Sequence, residues 1–273
     1  MLAMSRYLSA KRHSDFAPRT IGKFYESIVL SDGSYRTTAA GRLSPIDQAM
    51  LPFLGASTSI NRVLDIGISS GVTTFDLMNT LQENGYAPQI HAVDRVITIR
   101  KKEFAFGSLF FEARTGHLLQ IEMGGIGVRN HLRRRDFLTG AFLWRAPLLA
   151  WARRLKPDPN TSTANFVAPE LTGNSKVSVR EFDILNPWPA EVQEMDVIRI
   201  ANLMQSVYFS EAQLKLLAEK ISAACRGAGS IVVVCREYKG KLDASFFRMS
   251  SDRSLEVIHR VGGGSPSQHY FTS

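Results

Sequence analysis

Residues 63–74, VLDIGISSGVTT, change from large apolar side chains to small ones directly after the carboxylate of Asp65. The apolar half is typical of a buried strand, and helical spacing of apolar residues begins soon after it. Gly67, Ser69 and Gly71 let another group approach the backbone closely. The stretch therefore predicts a strand, a tight turn and a helix, with a ligand at the turn.

Strand patterns alternate with helix patterns along most of the remaining chain. Strands are predicted at residues 62–66, 89–94 (QIHAVD), 176–183 (KVSVREFD), 196–202 (DVIRIAN) and 229–234 (GSIVVV). This alternation favours an α/β fold with a mostly parallel, Rossmann-like sheet, in which ligands bind at the carboxyl ends of the strands. The pattern thus places the glycine turn at the ligand-binding edge.

Helices are predicted where capping residues precede apolar positions at helical spacing. Ser44 and Pro45 indicate the N-cap and first residue of a helix ahead of the sheet, and residues 73–82 indicate a second helix. Ser210 and Gln213 form a capping-box pair before a third helix. Its buried face is predicted to comprise Leu214, Leu217, Ala218 and Ile221.

The C-terminal residues carry weaker patterns. We expect a short helix at residues 241–249, and residues 254–261 and 267–273 are compatible with a final antiparallel pair of strands. The predicted sheet is therefore mostly parallel, with an antiparallel last strand.

A long basic segment separates the second and third predicted strands. Residues 95–156 hold 13 Lys or Arg and 4 Asp or Glu, which accounts for the whole net charge of +8. Two extended runs at 102–123 surround ARTG as a hairpin, and residues 136–155 are expected to be helical until Pro147 interrupts them. The predicted domains are an N-terminal helical cap at 1–60 and a domain at 61–273, interrupted by a lid or docking subdomain at 95–175.

Two classes of ligand use a glycine-rich turn after a first strand. A dinucleotide requires the spacing G-x-G-x-x-G, and the spacing here is Gly67-x-x-x-Gly71. S-adenosylmethionine instead carries a cationic ammonium and a sulfonium, which a preceding carboxylate such as Asp65 attracts.

The sequence Asp65-Ile-Gly67-Ile-Ser69-Ser-Gly71 resembles the acidic-x-Gly-x-Gly-x-Gly motif of class I S-adenosylmethionine-dependent methyltransferases, with serine in place of the middle glycine. The resemblance covers residues 62–94 and 176–273 and implies a methyltransferase sheet that binds S-adenosylmethionine. It implies further cofactor contacts at the ends of the later strands. These are contacts by Asp94 to the ribose hydroxyls, by Asp183 to the adenine amino group with Phe182 or Ile184 against the ring, and by Asn202 near the methyl group.

The same resemblance implies methyl transfer to an oxygen or nitrogen of a small acceptor, for which an acidic or amphiphilic compound is expected. Tyr208 and Trp144 are candidate acceptor-binding residues, and no residue identifies itself as a catalytic base. DVIRIAN followed by Val207-Tyr208-Phe209 is weakly similar to the chemotaxis-receptor methyltransferases. An NAD-linked oxidoreductase and a non-enzymatic interaction module on a methyltransferase scaffold remain as alternatives.

Basic and large apolar residues adjoin one another at 129–156, where contact with a membrane surface or a protein is an alternative to a lid. Nucleic acid is disfavoured, because ANLMQ stands after the fourth strand where many exocyclic amino methylases carry Asn-Pro-Pro-aromatic. The histidines lack metal-ligand spacing, so no metal is expected. Two cysteines, no apolar leader core and no long apolar run favour a cytoplasmic location.

Overall fold

The computed structural model describes residues 1–36, 38–55, 60–158 and 161–272. Its α-helices are α1 (Met4–Leu8), α2 (Pro18–Tyr25), α3 (Ser44–Met50), α4 (Val72–Glu83), α5 (Arg134–Leu138), α6 (Phe142–Arg154) and α7 (Glu211–Ala224). Its strands are β1 (Arg62–Ile66), β2 (Gln89–Asp94), β3 (Thr98–Phe104), β4 (Gly107–Glu112), β5 (Leu118–Met123), β6 (Ile126–Arg129), β7 (Thr163–Asn165), β8 (Val177–Glu181), β9 (Val197–Ala201), β10 (Ile231–Tyr238), β11 (Lys241–Met249) and β12 (Leu255–Val261). Within the described ranges, every helix is too short or too polar to cross a bilayer.

The chain forms two compact units, each assembled from separate stretches of sequence. The N-terminal unit comprises Met1–Ala39 and Val96–Thr172, and the central-sheet unit comprises Ala40–Arg95 and Gly173–Ser273. Residues that the sequence analysis assigned to an N-terminal cap therefore divide between the two. The domain boundaries 1–60, 61–273 and 95–175 stay predictions.

The central-sheet unit contains a seven-stranded sheet in the order β12-β11-β10-β9-β1-β2-β8. Parallel pairing joins β10, β9, β1, β2 and β8, and antiparallel pairing joins β11 to β10 and to β12. The predicted α/β class with a mostly parallel sheet is confirmed, and the last strand pairs antiparallel with its neighbour.

Burial of alternate residues holds α7 against the sheet. Leu64 and Ile66 of β1 and Ile198 and Ile200 of β9 share a core with the apolar face of α7. The capping box is confirmed, since the Ser210 hydroxyl accepts a hydrogen bond from the Gln213 amide and the Gln213 side chain accepts one from the Ser210 amide. Leu214, Leu217, Ala218 and Ile221 are buried, as the helical spacing predicted.

The C-terminal predictions need correction. Residues 241–249 form β11 rather than a helix, because a two-residue turn at Lys239 (φ 51°) and Gly240 (φ 77°) sends the chain back along β10. Positive φ at both central residues is the geometry of the tight hairpin turn whose twist matches paired strands. Of the residues predicted at 267–273, the described residues 267–272 do not pair with β12, and residues 268–270 form a 3-10 turn, while Ser273 lies outside the described residues.

The helix around residue 44 is present, but its start differs slightly from the prediction. Leu43 is the N-cap and Ser44 is the first helical residue, which puts Pro45 at the second position. The Leu43 carbonyl accepts the amides of Ile46 and Asp47. A proline within the first turn costs no hydrogen bond, since amides there lack helical partners, so the shift is tolerated.

The N-terminal unit contains a five-stranded antiparallel sheet in the order β6-β5-β4-β3-β7. The hairpin predicted around ARTG is β4 and β5, and the sheet adds β3, β6 and β7 around it. Phe110 packs with Tyr7 and Phe24 from α1 and α2, whereas Leu109 and Phe111 pack with α6. Side chains on both faces of β4 are therefore buried. For this reason β4 lacks the alternation of apolar and polar residues that marks a strand with one exposed face.

Pro147 was expected to interrupt the helix at 136–155, and this expectation is wrong. The interruption falls at residues 139–141 between α5 and α6, and α6 runs through Pro147 to Arg154. Pro147 lacks the amide that would pair with the Leu143 carbonyl. Burial of Arg145, Leu149 and Ala152 on one face holds the helix on both sides of that missing bond.

Candidate functional site

The order of the central sheet defines one place where a ligand crevice is expected. From β1 the chain proceeds to β2 and β8 on one side and then returns to β9 on the other side. Ligands of open α/β sheets bind at such a switch point, outside the carboxyl ends of the strands. The segments after β1 and β9, residues 67–71 and 202–209, lie at this point.

The turn after β1 has a backbone that only small residues adopt easily. Gly67, Ser69 and Gly71 have φ of 77°, 55° and 78°. The Gly67 amide donates to the Val93 carbonyl at 2.9 Å. A Cβ on Gly67 would lie 3.2 Å from a methyl carbon of Leu203 in the segment after β9, so a side chain there would crowd the two segments where they meet.

Asp94, at the end of β2, lies against this turn. The Ser69 amide donates to Asp94 Oδ2 at 2.8 Å. The contact joins residues 25 positions apart, and it brings two of the predicted site residues together. Asp94 is half-buried, so its carboxylate is positioned between the turn and the surface.

Asp65 was expected to present its charge to a cationic ligand, and the structure gives it other partners. Its side chain is only 2% exposed. Arg199 Nε donates to Asp65 Oδ1 at 3.0 Å, Arg199 Nη2 donates to Oδ2 at 2.7 Å, and Thr74 Oγ1 donates to Oδ2 at 2.7 Å. Asp65 and Arg199 are direct neighbours in the register of β1 and β9, which explains their ion pair.

A second carboxylate completes this buried group. Arg199 Nη1 donates to both carboxylate oxygens of Asp47 in α3, at 2.8 and 3.0 Å, and Nη2 also donates to the Thr73 carbonyl at 2.9 Å. Asp47, Asp65 and Arg199, here called the buried triad, tie β1, β9, α3 and the start of α4 together. With both acids ionised the triad carries a net charge of −1.

Burial controls the ionisation of the triad. Loss of solvation raises the pKa of Asp47 to about 6, even though the adjacent Arg199 favours its ionised form. Burial alone would lower the pKa of Arg199, but the charges of Asp47 and Asp65 outweigh it and raise that pKa above its ordinary value. Sequence reasoning missed Arg199 and Asp47, although an arginine within the apolar strand DVIRIAN signals an acidic partner.

Asp183 and Ile184 lie beyond the strand that was expected to end at Asp183. β8 ends at Glu181, and Asp183 Oδ1 accepts the Leu185 amide at 3.2 Å in an Asx turn. Ile184 is buried in the core shared with Val93 and α7. The adenine contacts predicted for these residues stay predictions.

Asn202 links the ends of two strands. It has a φ of 59°, and its Oδ1 accepts the Glu237 amide of β10 at 2.6 Å. Nearby, Phe209 packs against the core that includes Leu214, as a hydrophobic staple ahead of α7, while Tyr208 is 45% exposed. Tyr208 is thus the exposed aromatic of this pair, and its role in acceptor binding stays a prediction.

Trp144, the other predicted acceptor-binding residue, belongs to the N-terminal unit. It lies on α6 and is 53% exposed, with the Arg145 guanidinium 5.5 Å from its ring centroid. Across the described parts of the chain, no group of three or more His, Cys, Asp or Glu side chains could hold a metal ion.

No protein-family model and no curated protein matches this chain. Solved structures similar to it include several methyltransferases. The N-methyltransferase NodS from Bradyrhizobium japonicum WM9, in complex with S-adenosyl-L-homocysteine, aligns over 78% of this chain and 70% of its own, with 12% identity and a TM-score of 0.35. The amino pentose methyltransferase CalS10 from Micromonospora echinaspora aligns over 76% and 61%, with 11% identity and a TM-score of 0.33.

An O-methyltransferase family protein from Burkholderia thailandensis aligns over 71% of this chain, with 10% identity and a TM-score of 0.33, and this chain spans only 37% of its length. TM-scores this low support no conclusion about the fold, which is described here from the strand order of the sheet alone.

Proposed function

We propose that the central-sheet unit binds S-adenosylmethionine and that the chain transfers a methyl group to an oxygen or nitrogen of a small acceptor. The observation that carries the proposal is the turn at 67–71, which lies at the switch point of the sheet with Asp94 hydrogen-bonded to the Ser69 amide. A carboxylate at the end of the second strand suits the paired hydroxyls of a ribose.

One feature of the turn supports a bound nucleoside amino acid. Gly67 and Gly71 have positive φ and carry no side chain that would block the close approach of a ligand to the backbone of the turn.

Asp65 fits the proposal only in an indirect role. Arg199 and Thr74 occupy its carboxylate, so we assign it to positioning of the turn and of α4. The net charge of the buried triad still favours a cationic ligand over an anionic one. This electrostatic preference agrees with a sulfonium and an ammonium and disfavours a diphosphate.

The remaining predicted residues would contribute contacts around the same edge. In this proposal Gly67, Ser69 and Gly71 cradle the amino acid portion, and Asp183 and Ile184 flank the adenine. Asn202 shapes the segment after β9, through its positive φ and its bond to Glu237. When bound, S-adenosylmethionine supplies a methyl group that is already activated by the sulfonium.

The protein would contribute mainly alignment and exclusion of water to this reaction. Tyr208, which is 45% exposed in the segment after β9, is the candidate for acceptor binding in this unit. No side chain is assigned as a general base. An acidic or amphiphilic acceptor remains our expectation from the basic, aromatic insertion at 95–175.

An NAD-linked oxidoreductase is the competing function, because an acid at the end of the second strand also binds the ribose of NAD. The turn spacing opposes it, since Gly67-x-x-x-Gly71 lacks the dinucleotide fingerprint. Calorimetry with S-adenosylhomocysteine and with NADH separates the two. Binding of NADH alone would end the methyltransferase proposal, and cofactor binding without methyl transfer to any fraction of a cell extract would favour a non-enzymatic module.

Asp94→Ala tests the site directly. It should weaken S-adenosylhomocysteine binding by about 1–3 kcal/mol, because ribose hydroxyls would lose a charged acceptor. Asp94→Asn keeps an acceptor for the Ser69 amide and should lose less, and Glu219→Ala on the exposed face of α7 is the matched control. Unchanged affinity in Asp94→Ala, with the fold intact by circular dichroism, would remove Asp94 from the site.

A further inference from the structure

Large apolar side chains protrude from the N-terminal unit at α5 and α6. Phe137, Leu138, Leu143 and Trp144 are 57%, 78%, 70% and 53% exposed. Together with the exposed Arg134 and Arg135 they are called here the α5–α6 surface. Isolated exposed apolar residues are ordinary, but four within eight positions form a patch that requires a partner.

The local packing holds this patch outward. The rings of Phe137 and Phe142 stack with centroids 5.2 Å apart, which brings the end of α5 to the start of α6. On α6, Arg145, Leu149 and Ala152 occupy the buried face. Leu143 and Trp144 therefore lie on the opposite side, and Trp151, seven residues after Trp144, shares their exposed side.

The segment that carries the patch is strongly basic. Residues 129–156 contain eight Lys or Arg and one acid, Asp136. Asp136 is buried and fully engaged, since it accepts hydrogen bonds from both Arg129 and the Arg133 amide. Segment 129–156 therefore has no exposed carboxylate of its own beside the exposed Arg134 and Arg135.

The ionisation of His131 reports the same positive potential. Partial burial lowers the pKa of His131 most, and the neighbouring Arg133, Arg129 and Arg145 lower it further, to about 4. Arg145 and Arg129 also have buried Nε groups without hydrogen-bond partners among the described residues. The segment therefore holds more cationic groups than its own acceptors satisfy.

We infer that the α5–α6 surface docks on an anionic lipid bilayer, with Phe137, Leu138, Leu143 and Trp144 entering the headgroup region and the arginines contacting acidic headgroups. An interfacial element combines an apolar face, Trp or Phe, and flanking basic residues in this way. Aliphatic Leu138 and Leu143 have no stacking role on nucleic acid, where aromatic platforms serve. A fluid anionic surface also accepts all the arginines without a shaped acidic groove.

The test is sedimentation of the full chain with vesicles of phosphatidylcholine alone and of phosphatidylcholine mixed with phosphatidylserine. Binding is expected to the mixed vesicles, with decreasing partitioning as salt is added. Leu138→Ser/Leu143→Ser/Trp144→Ser should reduce the partitioning at least tenfold. Val207→Ser/Leu216→Ser, which alters exposed apolar residues of the central-sheet unit, is the matched control and should bind as the parent does.

The charges are tested separately with Arg134→Gln/Arg135→Gln. Partitioning should fall by roughly tenfold or more, because each basic residue at an anionic surface contributes about fivefold. Lys215→Gln/Lys241→Gln in the central-sheet unit is the corresponding control. Circular dichroism and thermal melting of every variant check that the chain still folds.

Three outcomes overturn the inference. The first is absence of binding to mixed vesicles, and the second is equal binding to both kinds of vesicle. The third is unchanged binding by the triple-serine variant. A concentration-dependent dimer that the triple-serine variant abolishes, without vesicle binding, would instead assign the surface to contact between copies of this chain. None of these results depends on whether the central-sheet unit binds S-adenosylmethionine.

Discussion

At the scale of single residues, Arg199 joins several elements in the interior of the central-sheet unit. Its guanidinium forms fork-like contacts with Asp47 and with Asp65, and a further bond to the Thr73 carbonyl. A lysine could not reproduce this planar pattern of donors. Arg199 thereby fixes where α3 and α4 begin relative to β1, and so positions the turn at 67–71.

Removing Arg199 should be costly. Arg199→Met would leave two carboxylates buried without a cation, and the free energy of unfolding should fall by about 3–5 kcal/mol in urea titrations. Asp47→Leu/Asp65→Leu/Arg199→Met should recover most of that loss, since no charge remains buried. The exposed pair Arg180–Glu191, 3.3 Å apart, supplies the control. Arg180→Met should change stability by less than about 1 kcal/mol, and an equal effect of both single changes would contradict the argument.

Asp47 should make stability depend on pH in an unusual direction. Its folded pKa of about 6 lies above its ordinary value of 3.8, so the folded chain holds this proton more tightly than the unfolded chain does. The stabilisation is complete below the ordinary value and is lost as the pH rises through about 6.

Urea titrations at several pH values measure the free energy of unfolding. Between about pH 4 and pH 7, that free energy should fall for the parent by on the order of 1–3 kcal/mol relative to Asp47→Asn. Asparagine keeps an oxygen acceptor for Arg199 and does not titrate. A difference that stays constant across that range, or that grows in favour of the parent, would show that Asp47 ionises normally.

At the scale of elements, pairing in a hairpin determines whether a segment forms a strand or a helix when its apolar spacing is compatible with both. Residues 241–249 are apolar at spacings compatible with a helix, but the positive φ of Lys239 and Gly240 makes them the return strand of a hairpin. In β4, side chains on both faces are buried, so the strand lacks a clear alternation. In both segments the neighbouring elements determine the structure, and the residues of the segment alone do not specify it.

Gly107 tests the close pairing of β4 with β5. A Cβ there would lie 1.8 Å from the Glu122 carbonyl oxygen, which is backbone and cannot rotate away. Gly107→Ala should therefore lower the free energy of unfolding by about 3 kcal/mol or more, measured by urea or thermal melting.

Gly125→Ala, in the turn between β5 and β6, is the control. Gly125 has a φ of 74° and open space around it, so alanine there should cost only the backbone strain of about 1–2 kcal/mol. If Gly107→Ala were no more destabilising than Gly125→Ala, the close approach of the two strands would be wrong.

At the scale of the whole molecule, the two compact units can open separately, and the buried cysteines probe opening of the central-sheet unit, in which both lie. Cys225 and Cys235 are free and buried, and burial raises the pKa of each thiol to about 12. Only the thiolate reacts with disulfide reagents, so both should be inert in the native chain at about pH 8 and reactive after denaturation. Cys225→Ser and Cys235→Ser assign the individual rates. Rapid labelling of either thiol without denaturant would contradict their burial.

The sequence by itself determined a mostly parallel sheet with the strands β1, β2, β8, β9 and β10, the capping box at Ser210 and the glycine turn after β1. These features depend on local periodicity and on residues with special backbone preferences, which act over a few positions. It also indicated the separate character of the basic segment, through charge and composition.

Only the tertiary structure decided how distant positions combine. It paired Asp65 with Arg199 and Asp47, it brought Asp94 to the Ser69 amide, and it joined residues 1–39 to residues 96–172 in one unit. Each of these depends on strand register and on burial, which are properties of neighbours in space. A buried charged side chain requires an oppositely charged partner close to it in space. That partner can lie far away in the sequence, so the spacing of residues along the chain does not identify it.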